Sequence, residues 1–284
     1  MPIPSSIDAV LSVVEHSVMT PPTAIMGILN CTPDSFSDGG KYVDYGEAVK
    51  HARGMIAAGA DIIDIGGEST KPGALTVSID EELSRVIPVI EQIRQESAVR
   101  ISIDTSKAEV MRAAVNAGAT MINDVRALQN EGALEAASEL QVPICMMHMQ
   151  GLPETMQDSP RYIAVIDEIN QFFTQQIARC VAAGIARSQL ILDPGFGFGK
   201  TVAHNLTILK YLDEFKQHQL PLLLGVSRKS TLGIVLDKPV DQRLYGGLAV
   251  AAHAFMHGVA MLRTHDVDQT KQVFRILQAI THAN

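Results

Sequence analysis

The sequence predicts a single closed barrel of eight parallel strands alternating with helices, a (β/α)8 TIM barrel of the α/β class with its active site at the C-terminal ends of the strands. Three observations predict it. Eight short apolar, β-branched runs recur along the chain, separated by longer segments with helical spacing, which implies parallel pairing through right-handed crossovers. Successive strand ends lie on average about 34 residues apart, so eight units account for nearly everything after residue 23, and no Pro/Gly/Ser linker divides them. Two joints are nearly one phrase, Ala58-Gly59-Ala60-Asp61-Ile62-Ile63 and Ala117-Gly118-Ala119-Thr120-Met121-Ile122, a weak internal repeat of the kind such units leave. A length of 284 residues would otherwise suit two domains. The division is therefore an N-terminal extension over 1–23 and one barrel over 24–284.

The strands are read at Ala24-Leu29, Asp61-Ile65, Val99-Ile103, Thr120-Ile122, Val142-Met147, Leu190-Leu192, Pro221-Val226 and Val259-Leu262. Between them, Ala48, Ala52, Met55 and Ile56, then Leu83, Ile87, Ile90 and Ile93, then Ala249, Ala252, His253 and Met256 have the spacing of helix faces turned to a core. The same spacing recurs at the end in Val273, Ile276, Leu277 and Ile280. Gly59, Gly118, Gly184 and Gly258 each close a helical stretch just ahead of a strand, where a left-handed residue is needed. In the extension, Ile7, Val10, Leu11, Val14 and Val18 are spaced like a short amphipathic helix that would cap the closed end of the barrel.

Composition narrows the function classes. Hydrophobic residues at 46% against 19% charged leave no reason to expect disorder. A net charge of −8 disfavours a nucleic-acid footprint, and the absence of Trp removes the best stacking platform for single strands. Cys31, Cys145 and Cys180 are an odd number without C-x-x-C spacing, which supports neither a disulfide framework nor a zinc ribbon. The first basic residue after the start is Lys41, so no signal or transit peptide is expected, and no apolar run reaches about 18 residues. The expectation is a cytoplasmic protein with small-molecule substrates and neither nucleic acid nor membrane as partner.

The chemistry concentrates at the strand exits. These read Asn30-Cys31-Thr32, Gly66-Gly67-Glu68-Ser69-Thr70-Lys71-Pro72-Gly73, Asp104-Thr105-Ser106-Lys107, Asn123-Asp124, His148, Asp193-Pro194-Gly195, Ser227-Arg228-Lys229-Ser230 and Arg263-Thr264-His265-Asp266. Helix capping accounts for any one of them, but not for charged and amide residues at all eight. A closed barrel brings those exits to one mouth. Asp104, Asn123, Asp193 and Lys229 suit a flat heterocycle with several edge donors and acceptors. Arg263 and His265, just ahead of a helix N-terminus, suit a phosphate or pyrophosphate. Asn30, with Asp38 on the loop that follows, offers oxygen to a hard cation, and magnesium with a diphosphate is the natural choice. Met147 lies near enough to the mouth to pack on a bound ring. The Gly-rich loops after strands one and two are suited to closing over a substrate.

Three partial motifs fail. Gly199-Lys200-Thr201 ends like a P-loop, but Pro194 stands where the glycine is required. His253 and His257 are four apart without the Glu of a zinc motif. Gly195-Phe196-Gly197-Phe198-Gly199 lacks dinucleotide spacing, so no nicotinamide cofactor is expected.

Taken together, Asn30-Cys31-Thr32-Pro33-Asp34-Ser35-Phe36-Ser37-Asp38-Gly39-Gly40, Gly67-Glu68-Ser69-Thr70-Lys71-Pro72-Gly73, Asp193-Pro194-Gly195-Phe196-Gly197-Phe198-Gly199-Lys200 and Ser227-Arg228-Lys229-Ser230 closely resemble the dihydropteroate synthases of folate biosynthesis, over roughly residues 24–266. The resemblance implies a transferase that condenses 6-hydroxymethyl-7,8-dihydropterin diphosphate with 4-aminobenzoate, giving 7,8-dihydropteroate and pyrophosphate. It implies that Asp104, Asn123, Asp193 and Lys229 hold the pterin, and that Thr70, Arg263 and His265, with magnesium on Asn30, hold the diphosphate. The aminobenzoate, or a sulfonamide mimic of it, would meet Thr70, Pro72, Phe198, Arg228 and Ser230, with Phe36 and Asp38 on the closing loop. A homodimer is implied as well. Lys71 departs from the family, which usually has Arg there; a lysine keeps the charge and loses the planar fork. A corrinoid-linked methyltransferase would share a pterin-binding barrel, but no cobalamin module is visible. A non-catalytic pterin binder would have no use for both anion and aminobenzoate sets, and a phosphate-substrate aldolase or isomerase is only the generic guess from a barrel.

Overall fold

The computed structural model describes residues 23–32, 45–69, 73–74, 76–151 and 155–283. Within them, the strands are β1 Ala24–Asn30, β2 Ile62–Gly66, β3 Arg100–Asp104, β4 Met121–Asp124, β5 Ile144–Met147, β6 Leu190–Asp193, β7 Leu223–Gly225 and β8 Met261–Thr264. All eight expected runs contain a strand, most of them starting a residue or two later than the apolar run and reaching the polar exit. All pairings are parallel in the order β6-β5-β4-β3-β2-β1-β8-β7, and a lone parallel bridge between Leu192 and Leu222 links β6 to β7 where the ring nearly closes. β7 is the short member because Pro221 lacks an amide proton and the chain leaves the sheet after Gly225 for the loop at Val226.

The outer ring comprises α1 Tyr45–Ala57, α2 Ile79–Glu96, α3 Ala108–Ala117, α4 Ala133–Leu140, α5 Val165–Ala182, α6 Val202–Lys210, α7 Ser230–Leu236, α8 Leu244–Met256 and α9 Val267–Thr281. Helix α2 starts at a real cap, Ser78, whose hydroxyl accepts from the Glu81 amide at 3.2 Å. Gly59, Gly118, Gly184 and Gly258 all have the positive φ expected of helix-ending glycines.

Two helix faces differ from expectation. In α8 the buried residues are Ala251 and Ala254, whereas Ala249 and Met256 are exposed, because a helix this rich in alanine has no polar face to set against an apolar one. In α9 the barrel side is taken by Val267, Thr270 and Phe274, and Ile276 and Ile280 point outward. Among the described residues no helix is long and apolar enough to cross a membrane. Of the extension over 1–23, all but Thr23, including the expected capping helix, lies outside the described residues.

Side chains alternate along each strand, and this fixes the site. Met26, Ile62, Met121, Cys145, Ile191, Leu223 and Met261 form one fully buried cluster inside the barrel. Two residues further along each strand, on the same inward face, come Ile28, Asp64, Asn123, Met147, Asp193, Gly225 and Arg263. The apolar plug thus gives way, within one layer, to carboxylates, an amide and a guanidinium.

Candidate active site

At the floor, one arginine ties two strands' carboxylates together. Arg263 on β8 donates from Nε to Asp64 Oδ2 at 2.6 Å and from Nη2 to Asp104 Oδ2 at 2.6 Å, and Asn123 Nδ2 donates to the same Asp64 oxygen at 3.1 Å. Asp64 is wholly buried and its Oδ1 has no hydrogen-bond partner. Burial pushes the Asp104 carboxyl up to about 7 even with the Arg263 guanidinium beside it, and the neighbouring Asp64 adds to the shift. Burial alone would lower Arg263, but Asp64 and then Asp104 more than reverse that and hold it protonated.

Asp193 and Lys229 act on each other through charge. Burial raises the Asp193 carboxyl and Lys229 opposes the rise; burial lowers Lys229 to about 8 and Asp193 opposes the fall. The Lys229 ammonium donates to the Phe196 carbonyl and stands 4.4 Å from the centre of the Phe198 ring. Both partners come from the loop after β6, whose Gly195, Gly197 and Gly199 all have positive φ. Their lack of a side chain is what lets the loop fold this tightly. A Cβ on Gly197 would fall 2.8 Å from Lys229 Cδ, and one on Gly195 only 1.8 Å from the His148 carbonyl oxygen. Gly195→Ala is accordingly expected to lower the unfolding free energy by more than about 2 kcal/mol, since the left-handed backbone alone costs about 1–2. Urea unfolding checks this: the midpoint should drop at constant m, and an unchanged midpoint would contradict the packing described.

Above the floor opens a cavity of about 430 Å³, the size of a small-ligand site. Asn30, Asp104, Phe198, Lys229, Arg263 and His265 line it, joined by Ser227, Arg228 and Ser230 from the β7 exit and by Glu68 and Ser69 from β2. Ser227 orients His265, its hydroxyl lying 2.9 Å from Nδ1 and accepting the His265 amide at 3.2 Å. Arg228 has a left-handed backbone, φ 60, unusual for a residue with a side chain. Its carbonyl accepts from Arg243 Nη1 at 2.9 Å, and its guanidinium donates to Asp266 Oδ1 at 2.8 Å.

The exits expected to share one mouth therefore divide into three groups. Asn30, Asp104, Phe198, Arg228, Lys229, Ser230, Arg263 and His265 meet at the cavity. Asn123, Met147 and Asp193 are buried in the layer beneath, with Met147 packed among Val125, Met156 and Phe198. His148 turns away, buried against Lys200, because the loop carrying Gly195 crosses directly over its carbonyl. At the β4 exit only Asn123 joins the site; Asp124 accepts from the Ser106 hydroxyl and from the Arg126 and Leu128 amides, a turn cap. Phe36, Asp38, Thr70, Lys71 and Pro72 lie outside the described residues.

Two participants escape a reading of the exits. Asp64 sits inside the run Ile62-Ile63-Asp64-Ile65, and an acidic residue in the middle of a buried strand was the signal for it. Arg243, which holds the Arg228 backbone, lies in a polar stretch with nothing to distinguish it.

The donor set suits one hard cation shared with an anionic ligand. Asn30 presents a neutral oxygen-bearing amide to the cavity, and among the described residues no group of three His, Cys, Asp or Glu could hold an ion unaided. Magnesium keeps most of its shell from water and phosphate oxygens and needs only one or two protein ligands, so Asn30 fits it.

Residues 26–265 match the family model described as pterin binding enzyme. The dihydropteroate synthase of Escherichia coli (strain K12) is 55% identical over 259 residues, covering 91% of this chain and 92% of that protein. The Yersinia pestis dihydropteroate synthase, solved with a sulfonamide drug complex, superposes with a TM-score of 0.89 at 52% identity, covering 92% of this chain and 95% of that one. The enzyme from Xanthomonas albilineans in complex with 7,8-dihydropteroate gives a TM-score of 0.84 at 42% identity, with 92% and 95% covered.

Proposed function

The chain belongs to the pterin-binding enzymes, among the dihydropteroate synthases, and from that premise we propose that its cavity condenses 6-hydroxymethyl-7,8-dihydropterin diphosphate with 4-aminobenzoate to give 7,8-dihydropteroate and pyrophosphate. One observation carries the reading: a floor of buried carboxylates and an amide opens directly into a cavity lined by Arg228, Lys229, Arg263 and His265. The floor matches the donor and acceptor edges of a pterin, and the basic lining matches two anionic substrates.

In this reading Asp104, Asn123, Asp193 and Lys229 hold the pterin ring, and Met147 packs under it. Arg263 spends two of its five N–H donors on Asp64 and Asp104, and the donors beyond those two, with His265, take the diphosphate. Magnesium on Asn30, when bound, neutralises part of the diphosphate charge. Phe198, Arg228 and Ser230 seat the aminobenzoate, Arg228 by pairing with its carboxylate. Thr70 and Pro72, with Phe36 and Asp38, complete that side.

The reaction breaks the bond between the pterin methylene and its diphosphate oxygen and forms one from that carbon to the arylamine nitrogen, which gives up a proton. The ring-conjugated methylene is a stabilised cation, so no covalent enzyme nucleophile is required. The chain's own contribution is positioning, stabilisation of the leaving pyrophosphate and exclusion of water. A homodimer in the cytoplasm accords with the same family reading. Incubation with both substrates and magnesium should yield a product with the mass of 7,8-dihydropteroate; no such product would overturn the proposal.

The cation gives a separate prediction. Chelation should abolish turnover and added magnesium restore it, and Asn30→Ala should raise the magnesium needed for half-maximal rate by about tenfold, one protein oxygen being lost from the shell. A titration of rate against magnesium checks this. An unchanged requirement in Asn30→Ala would remove Asn30 from the metal site.

A further inference from the structure

We propose that Lys200 is the positioning residue of the loop after β6, its ammonium caged by backbone carbonyls so as to hold Phe198 on the cavity wall and the Phe196 carbonyl against Lys229. The Lys200 side chain is buried, only 3% exposed, and is not part of the cavity lining. Its Nζ lies 3.0 Å from the Gly195 carbonyl, 3.0 Å from the Phe198 carbonyl, 3.3 Å from the His148 carbonyl and 3.0 Å from His148 Nδ1. Burial pulls the Lys200 ammonium down to about 7, with Asp193 opposing the fall, and in its protonated form all three N–H donors are committed to this cage. Two of the carbonyls belong to the loop itself and the other two acceptors to the exit of β5, so the cation staples one to the other.

Neighbouring contacts serve the same end. Tyr162 donates its hydroxyl to the Gly199 carbonyl at 3.0 Å, and its ring centre is 5.9 Å from Lys200 Nζ. A Cβ on Gly199 would lie 2.4 Å from the Gln150 carbonyl oxygen, so the loop rests on the β5 exit at both ends. Burial, with Lys200 adding to it, lowers His148 to about 2; the ring stays neutral and keeps Nδ1 as an acceptor, with the proton on Nε2. Phe172 fixes the ring edge-on at 4.9 Å. Lys200 thus acts through Phe198 and Lys229, which line the cavity, and the inference rests on that cavity being the substrate site.

The test is Lys200→Met in the full chain, which keeps the apolar stem and removes all donors. Amide exchange followed by mass spectrometry should show residues 195–199 exchanging at least about tenfold faster, with the β1–β5 peptides unchanged. In the same protein kcat/KM for 4-aminobenzoate should fall by about a hundredfold, mostly through KM, the scale of an ångström-level misplacement. Unaltered exchange in the loop would overturn the proposal, and so would acceleration spread evenly over the barrel, which a merely structural role would produce. Should this variant not fold, Lys200→Gln, which removes the charge and keeps two of the three N–H donors on a shorter stem, carries the same measurements. Absence of turnover in the parent protein would count against the functional reading, while the exchange readout would still decide the role of Lys200.

Discussion

Asp193→Ala is expected to lower kcat/KM for the pterin diphosphate by about three orders of magnitude while leaving the fold intact. The carboxylate is buried in the layer beneath the cavity, with Oδ1 accepting the Gly195 amide at 2.7 Å and its charge set against Lys229. As a pterin ligand it would accept two adjacent N–H groups, and each such charge-assisted bond contributes about 1.5–3 kcal/mol. Losing both is worth about 3–6 kcal/mol, or roughly 10²–10⁴ in affinity. Lys229 suffers too, because Asp193 is the group that most opposes the downward push of burial on its ammonium. Calorimetric titration with the pterin diphosphate measures the effect directly. His265→Ala, in contrast, should chiefly weaken the diphosphate contribution and leave binding of the bare pterin alcohol nearly unchanged. Unchanged turnover and affinity in Asp193→Ala would remove this residue from the pterin site.

Arg263→Met should be the most damaging single change to stability. It leaves Asp64 and Asp104 side by side in the barrel interior without their shared cation, and breaking a buried pair in this way typically costs about 3–5 kcal/mol. The loss depends on pH with a definite sign. Without the guanidinium the Asp104 carboxyl rises further above its ordinary value of 3.8, so between that value and the raised one the folded state binds more protons than the unfolded state. Stability then falls as pH rises in both proteins up to about 7, where Asp104 of the parent begins to ionise. Above that the variant alone keeps the proton, so the deficit relative to the parent should stay level from pH 5 to about pH 7 and grow by up to about 1.4 kcal/mol between pH 7 and pH 8. Urea unfolding at these pH values measures this. A deficit that shrank with pH would mean that Arg263 does not hold these carboxylates.

The barrel is legible in the sequence because its strands are buried on both sides and so read as unbroken apolar runs with polar exits. The same property hides orientation. In Asn123-Asp124 both residues are polar and buried, and only the register shows that Asn123 faces the barrel interior while Asp124 closes a turn. Asp64 is hidden for a related reason, since a run of Ile around it marks a strand without saying which residues point inward. The buried faces of α8 and α9 differ from those the spacing predicts because alanines and exposed isoleucines blur the apolar stripe. His148 and Lys200 could not be paired from sequence, because their contact is made by carbonyls that glycine backbones bring together across 52 residues. Arg263 is the mixed case: its exit position was apparent, but its attachment to Asp64 and Asp104 depends on neighbours 199 and 159 residues away.

The net charge of −8 disfavours polyanionic partners, while Arg228, Lys229, Arg263 and His265 give one cavity a basic lining suited to the small anionic substrates proposed. The most direct measurement is pyrophosphate release from 6-hydroxymethyl-7,8-dihydropterin diphosphate in magnesium-containing buffer, with and without 4-aminobenzoate. The expected result is release that depends on the amine, saturates with it and matches dihydropteroate formed one for one. Release indifferent to the amine, or none with both substrates bound, would contradict the assignment and leave a pterin-binding barrel without this chemistry.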